Sequence, residues 1–308
     1  QLGDGTTTNR YYPVSVFGGY NFSKIAPGYQ HTCGVLTNGT ALCWGYNGYG
    51  QLGDGTTTNR NTPVNVSGFF NFSTITTGGY YSCGILINGT ALCWGGNGYG
   101  QLGDGTTTTR YVPVNVTGYY NFSQIDATAA YYTTCGVLIN GTGLCWGYNA
   151  YGGLGDGTAT DRLTPVNVTG YYNFSQIDTG IYDSCGLLHN GTALCWGYNA
   201  YGEVGDGTTT TRYVPTKVSG NYNFTKVAVG DYHTCGRLVN KTILCWGDNG
   251  YGGLGDGTAL YSKYLPIKLS GNYNFNTTSA GYYHTCGLLT NGTALCWGYN
   301  AYGEVGDG

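Results

Sequence analysis

A segment running from a cysteine to a tryptophan recurs six times along the chain, and its period limits the possible folds more than any other feature. CGVLTNGTALCW begins at Cys33, and its copies begin at Cys83, Cys135, Cys185, Cys235 and Cys286. A unit of about 50 residues is too small to bury an apolar face alone and must stack on its neighbours. The repeats fall at approximately 1–50, 51–100, 101–152, 153–202, 203–252 and 253–303, within one repeat domain spanning 1–308. Residues 304–308 (EVGDG) restate the opening QLGDG, so they start a further repeat or an overlap. Two intervals are longer than the rest. Their extra residues lie between Phe122 and Cys135 and between Leu254 and Phe275, which predicts loops at those places.

Inside one unit the pattern is β throughout. YYPVSV (Tyr11–Val16) alternates and carries Pro13, which suits an edge strand. FSKIA (Phe22–Ala26), HTCGVL (His31–Leu36) and TALCW (Thr40–Trp44) are further short strands, and no stretch holds a 3.6-residue period. Four short strands per unit predict an all-β propeller of six four-stranded blades, as a closed ring or as part of a longer array.

Composition excludes several other classes. Charged residues make up only 9% of the chain, yet no apolar run reaches the ~20 residues of a spanning helix. Aromatic residues at 15% can build a core, which argues against disorder. A net charge of −3 without a basic cluster argues against nucleic acid as a partner.

Thr37-Asn38-Gly39 fits a three-residue hairpin loop with Gly39 in the left-handed conformation. Leu36 and Thr40 then close the hairpin and Cys33 faces Cys43. A two-residue Asn-Gly turn would instead put the two sulfurs on opposite faces. The first register gives every cysteine a partner. It predicts Cys33–Cys43, Cys83–Cys93, Cys135–Cys145, Cys185–Cys195, Cys235–Cys245 and Cys286–Cys296, and so an oxidising compartment. The competing reading, a zinc site, lacks a C-x2-C pair and a fixed histidine.

Sequons point the same way. Asn21, Asn38, Asn71, Asn88, Asn121, Asn140, Asn173, Asn190, Asn223, Asn240, Asn276 and Asn291 are expected to carry N-linked glycans. Asn65, Asn115 and Asn167 also head sequons but sit in or beside strands, where poorer occupancy is expected. A glycan coat would account for solubility at such low charge. The sequence opens inside a repeat with QLGDG, so any leader is expected to have been removed or to lie outside it.

No catalytic constellation assembles. Gly48-x-Gly50-x-x-Gly53 matches a dinucleotide-binding glycine pattern, but no helix follows it. Asp54 and its copies in the G-D-G turns suit an Asx-turn or a pairing with Arg60 and its copies better than calcium, since no second acid accompanies them. His31, His233 and His284 share one repeat position, whose other occupants include Tyr81 and Asp183. A catalytic group would occur once, with dedicated partners. The expectation is therefore no enzyme activity, no metal and no cofactor beyond covalent glycans. Trp44 and its copies read as core. The loop tyrosines Tyr46, Tyr49, Tyr99, Tyr148, Tyr151, Tyr198, Tyr201, Tyr251, Tyr299 and Tyr302 read either as core cover or as a contact surface for sugars or proteins.

The run HTCGVLTNGTALCWGYNGYGQLGDGTTTNR (His31–Arg60) resembles the RCC1 (regulator of chromosome condensation) repeat family. The likeness rests on W-G-x-N-x-x-G-x-L-G-x-G, here Trp44-Gly45, Asn47, Gly50, Leu52-Gly53 and Gly55, and it covers all six repeats. It implies that the outer strand of each blade comes from the next repeat. The family also includes exchange factors for a small GTPase. Paired cysteines and sequons conflict with their nuclear setting and favour a secreted, RCC1-like propeller protein. The expected role is a non-enzymatic extracellular or cell-surface glycoprotein that assembles with itself, as a surface layer, matrix or filament, or binds other extracellular proteins or glycans. A lectin-like or protein-binding propeller is the alternative, and guanine-nucleotide exchange comes after it.

Overall fold

A computed structural model describes residues 1–127 and 132–307. In the first repeat, β1 (Phe22–Pro27), β2 (His31–Leu36) and β3 (Ala41–Gly45) form an antiparallel meander. The fourth strand, β4 (Arg60–Asn65), comes from the next repeat and pairs with β3 through Cys43↔Val64 and Gly45↔Arg60. The same four-strand antiparallel order is found in five sheets, and a sixth holds three strands, Phe275–Ala280, His284–Leu289 and Ala294–Gly298. The fold is thus all-β, a propeller of six blades, and no helix occurs among the described residues.

One expected strand does not form. Tyr11–Val16 lies outside any sheet, with Tyr11 almost wholly exposed, whereas the equivalent Arg60–Asn65 is a strand. The reason lies in the pairing. Each outer strand adds to the Cys–Trp strand of the preceding repeat, and no such strand precedes Tyr11 in this sequence. A strand without a partner has no ladder to hold it. By the same rule the sheet ending in Ala294–Gly298 has three strands.

The hairpin register follows the first of the two alternatives. Leu36 and Thr40 close the loop, with a 2.8 Å bond from the Leu36 amide to the Thr40 carbonyl, and Gly39 sits at φ +85°. Cys33 faces Cys43 at a Cα separation of 4.1 Å, and all six expected disulfides are formed.

Two compact units hold these sheets. The first comprises Gln1–Ile139, Leu144–Tyr148 and Asp161–Val166; the second comprises Asn140–Gly143, Asn149–Thr160 and Asn167–Gly308. Within each unit the apolar core lies between neighbouring blades. In the first, Cys33, Val35 and Cys43 of one blade pack with Phe72, Ile75 and Trp94 of the next. In the second, Cys185 and Cys195 pack with Phe224, Val227 and Trp246. Each tryptophan is tied to the loop that precedes its blade, as in the 2.9 Å bond from Trp94 Nε1 to the Gln51 carbonyl. Gly53, at φ +69°, lies against that ring, and a Cβ there would come within 2.7 Å of Nε1.

The extra residue of repeat six falls between Asp256 and Lys263, where Tyr261 takes up the added length at φ +62°. The extra residues of repeat three fall between the strands Phe122–Ala127 and Thr133–Leu138. Most of that connection lies outside the described residues.

Candidate contact surface

The W-G-x-N loop is built around a buried asparagine. Asn47 Nδ2 donates to Asp54 Oδ1 and to the Thr56 and Thr58 carbonyls, while its Oδ1 accepts from the Leu52 amide. Asp54 Oδ1 also accepts from the Thr56 amide and hydroxyl, and its Oδ2 pairs with Arg60 at 2.8 Å. The same Asp–Arg pair recurs at Asp4–Arg10, Asp104–Arg110 and Asp206–Arg212. These donors hold the Asp54, Asp104 and Asp206 carboxyls below the ordinary range although burial opposes them. With both oxygens engaged, the aspartate organises its loop, and no cluster suited to a metal occurs among the described residues.

This loop presents the tyrosines. Tyr46 and Tyr49 pack with Tyr80, and Tyr99 packs with Tyr132 and Tyr148. In the second unit Tyr151 joins Tyr182 and Tyr198, and Tyr251 joins Tyr283 and Tyr299. Tyr201 meets Tyr198 and Tyr232, and Tyr302 meets Tyr299. Each cluster is therefore ordered by ring contacts but keeps one face open: Tyr49, Tyr99, Tyr151, Tyr201 and Tyr251 are 37–49% exposed. Tyr80, Tyr132, Tyr182, Tyr232 and Tyr283 complete the clusters and were not singled out from the sequence. Their signal is a tyrosine recurring three residues before the first cysteine of repeats two to six, where repeat one carries Gln30.

Repeat two departs from this pattern. Gly96 stands where repeats one, three, four and six carry Tyr46, Tyr148, Tyr198 and Tyr299. A cavity of about 210 Å³ opens there, lined by Tyr49, Tyr80, Tyr99 and Tyr132 with Asn97 and Gln101. A second, wider groove of about 420 Å³ lies against Tyr171, Tyr172 and the sequon residues Asn140, Asn167 and Asn173.

The histidine position links neighbouring blades. His31 Nε2 lies 2.9 Å from Ser82 Oγ, and His233 Nε2 lies 2.7 Å from Thr285 Oγ1. Ser82 Oγ in turn donates to the Gln51 carbonyl, so neither histidine faces a nucleophile in the open. Burial lowers the pKa of His31 to about 3 and that of His233 to about 4. Asp183 occupies the same position in repeat four. Its Oδ2 and Glu203 Oε1 are buried without hydrogen-bond partners. Burial, reinforced by Glu203 and Asp231, pushes Asp183 well up, and burial raises Glu203 to about 8 and Asp231 to about 7.

Each hairpin asparagine is held by its own loop. Asn38 Oδ1 accepts from the Thr40 amide at 3.0 Å, and Asn88, Asn140, Asn190, Asn240 and Asn291 repeat the contact. These side chains are exposed, as are Asn21, Asn71, Asn121, Asn173, Asn223 and Asn276.

Comparison with known proteins gives a consistent picture. A profile described as the regulator of chromosome condensation (RCC1) repeat matches residues 38–85, 88–137, 190–236 and 242–288. A second RCC1 repeat profile matches 22–51, 72–101, 224–252 and 277–304. No curated protein matches the chain in sequence. Among solved structures, Prp20p of Saccharomyces cerevisiae, described with its binding properties to Gsp1p and histones, aligns with a TM-score of 0.80 at 20% identity, over 92% of this chain and 73% of that one. Human WBSCR16 aligns at 0.78 and 20% identity, over 87% and 72%. The ectodomain of the Arabidopsis thaliana receptor kinase ACR4 aligns at 0.60 and 19% identity, over 92% and 84%.

Proposed function

The chain belongs to the RCC1 repeat family, and on that premise we propose that it is a non-enzymatic glycoprotein of the extracellular space that binds through its loop tyrosines, chiefly to further copies of itself. The observation that carries this reading is the disulfide in every blade. Five are fully buried, and no free cysteine remains. Such bonds persist where the medium is oxidising. The ACR4 alignment supports the same compartment, because that propeller is a receptor ectodomain. The near-identical tyrosine clusters supply one binding surface many times over, which suits an assembly of like subunits better than a single substrate.

The test is sedimentation velocity of the full, glycosylated chain over a wide concentration range. Association should appear as concentration rises and should weaken when Tyr49, Tyr99, Tyr151 and Tyr251 are replaced by serine. A protein that stays monomeric throughout would overturn the reading. The cavity at Gly96 favours a second reading, a lectin-like site in which a pyranose occupies the space left by the missing ring. Saturable binding in a glycan array, lost in Gly96→Tyr, would support it.

A further inference from the structure

Among the described residues, three aromatic rings have no protein surface to lie on. Phe69, Tyr119 and Tyr171 are fully exposed, at 111%, 105% and 102%. They occupy one repeat position, the residue after the glycine of an S/T-G-aromatic-aromatic turn. The second aromatic of each turn behaves differently. Phe70, Tyr120 and Tyr172 pack edge-on against Phe72, Phe122 and Phe174 at 5.8–6.0 Å. The outer ring of each pair is the bare one.

The backbone adds to the anomaly. Tyr119 and Tyr171 sit at φ +53° and +52°, a region that bulky side chains rarely adopt. Of the equivalent residues elsewhere, Gly19 shares this conformation at φ +62°, whereas Phe69, Asn221 and Asn272 do not adopt it. Two repeats thus keep a large ring in a strained position where it touches nothing. Each bare ring also stands two residues before a sequon asparagine: Phe69 before Asn71, Tyr119 before Asn121 and Tyr171 before Asn173. All three asparagines are exposed, and the groove beside Tyr171 is open and walled by Asn173, Asn140 and Asn167.

We propose that Phe69, Tyr119 and Tyr171 are platforms for the first pyranose of N-glycans on Asn71, Asn121 and Asn173, each ring lying under the apolar face of the sugar that its own turn carries. The inference rests on the glycosylation in the functional reading and specifies where the glycan is held. The linkage joins Asn Nδ2 to the anomeric carbon of a sugar from a glycosyl pyrophosphate donor; Nδ2 loses one proton and the pyrophosphate departs. Burying the ring under the sugar removes apolar surface from water and ties down an otherwise mobile chain. Tethering within one turn gives the contact a high effective concentration. The chain contains its own controls. Asn21 and Asn223 head the same sequon with Gly19 and Asn221 at the platform position.

The experiment uses the full chain secreted from a glycosylating host. Glycopeptide mapping comes first. If no sequon is occupied, the glycoprotein reading itself fails; if others are occupied but Asn71, Asn121 and Asn173 are bare, only this proposal fails. Thermal unfolding then compares Tyr171→Ser in the native background and in Asn173→Gln. The proposal expects a lowered midpoint with the glycan and none without it. Asn221→Tyr should raise the midpoint only while Asn223 is glycosylated. Proton NMR of glycans trimmed to the linking sugar gives an independent readout: upfield-shifted ring protons at Asn173 that return to ordinary positions in Tyr171→Ser. Equal effects of Tyr171→Ser with and without the glycan, together with unshifted sugar protons, would overturn it and leave the rings to a protein partner.

Discussion

Glu203 shows how one residue can set the pH response of its surroundings. At the equivalent position the first two repeats carry Gln51 and Gln101, and Glu203 keeps the same kind of bond, accepting from the Tyr201 amide at 2.9 Å. Gln51 Nε2 is likewise buried without a partner, but the unpartnered atom of Glu203 is a carboxyl oxygen, Oε1, near Asp183, with Asp231 and Asp248 also contributing negative charge. Because the folded pKa is about 8 against 4.5 for the free group, the folded state holds a proton that the unfolded state has lost between those values. Stability therefore falls as pH rises through that window. Glu203→Gln should stabilise the second unit by roughly 3–5 kcal/mol at pH 9 and by little at pH 5. Hydrogen exchange in Asp183–Leu188 and His233–Leu238 as a function of pH reads this directly; equal protection at both pH values would contradict it. His31 works in the opposite direction in the first unit. Its folded pKa of about 3 means that the unfolded state takes the proton first, so stability is lost as pH falls from about 6.5 toward 3. His31→Gln should flatten that acid limb, measured by thermal midpoint against pH.

At the scale of the element, the hairpin and its disulfide carry most of what could be read in advance. Register there depends on a glycine at the third position of a three-residue loop, directly before Thr40 of the closing pair, all within one dozen positions. Cys185→Ala/Cys195→Ala should cost about 2–4 kcal/mol in denaturant unfolding, in line with closing a short loop. Gly53→Ala should cost about 2–3 kcal/mol, since it strains a left-handed backbone and displaces the Trp94 ring from its bond to the Gln51 carbonyl. A loss below about 0.5 kcal/mol in either would show that the element is held by something else. Tyr11–Val16 marks where local reading fails, because its pattern matches that of the later outer strands but pairing belongs to the partner. The Asp183 and Glu203 pairing was equally hidden: the residues lie in different repeats, and only the replacement of glutamine by glutamate hinted at it. The cluster tyrosines from Tyr80 to Tyr283 were passed over because a tyrosine beside a strand reads as core until its neighbours in the next loop are known.

For the whole molecule, the proposal of an extracellular assembly rests on buried disulfides, exposed sequons and repeated tyrosine clusters. The fold does not decide this alone, since Prp20p and the ACR4 ectodomain align with the same chain. Compartment separates the readings most sharply. The decisive measurement is peptide mapping, under non-reducing conditions, of the protein recovered from its native source. The account predicts all six Cys pairs oxidised as Cys33–Cys43 and its copies, with sugar on the exposed sequon asparagines. Free thiols and bare asparagines would contradict it and return the chain to a reducing compartment.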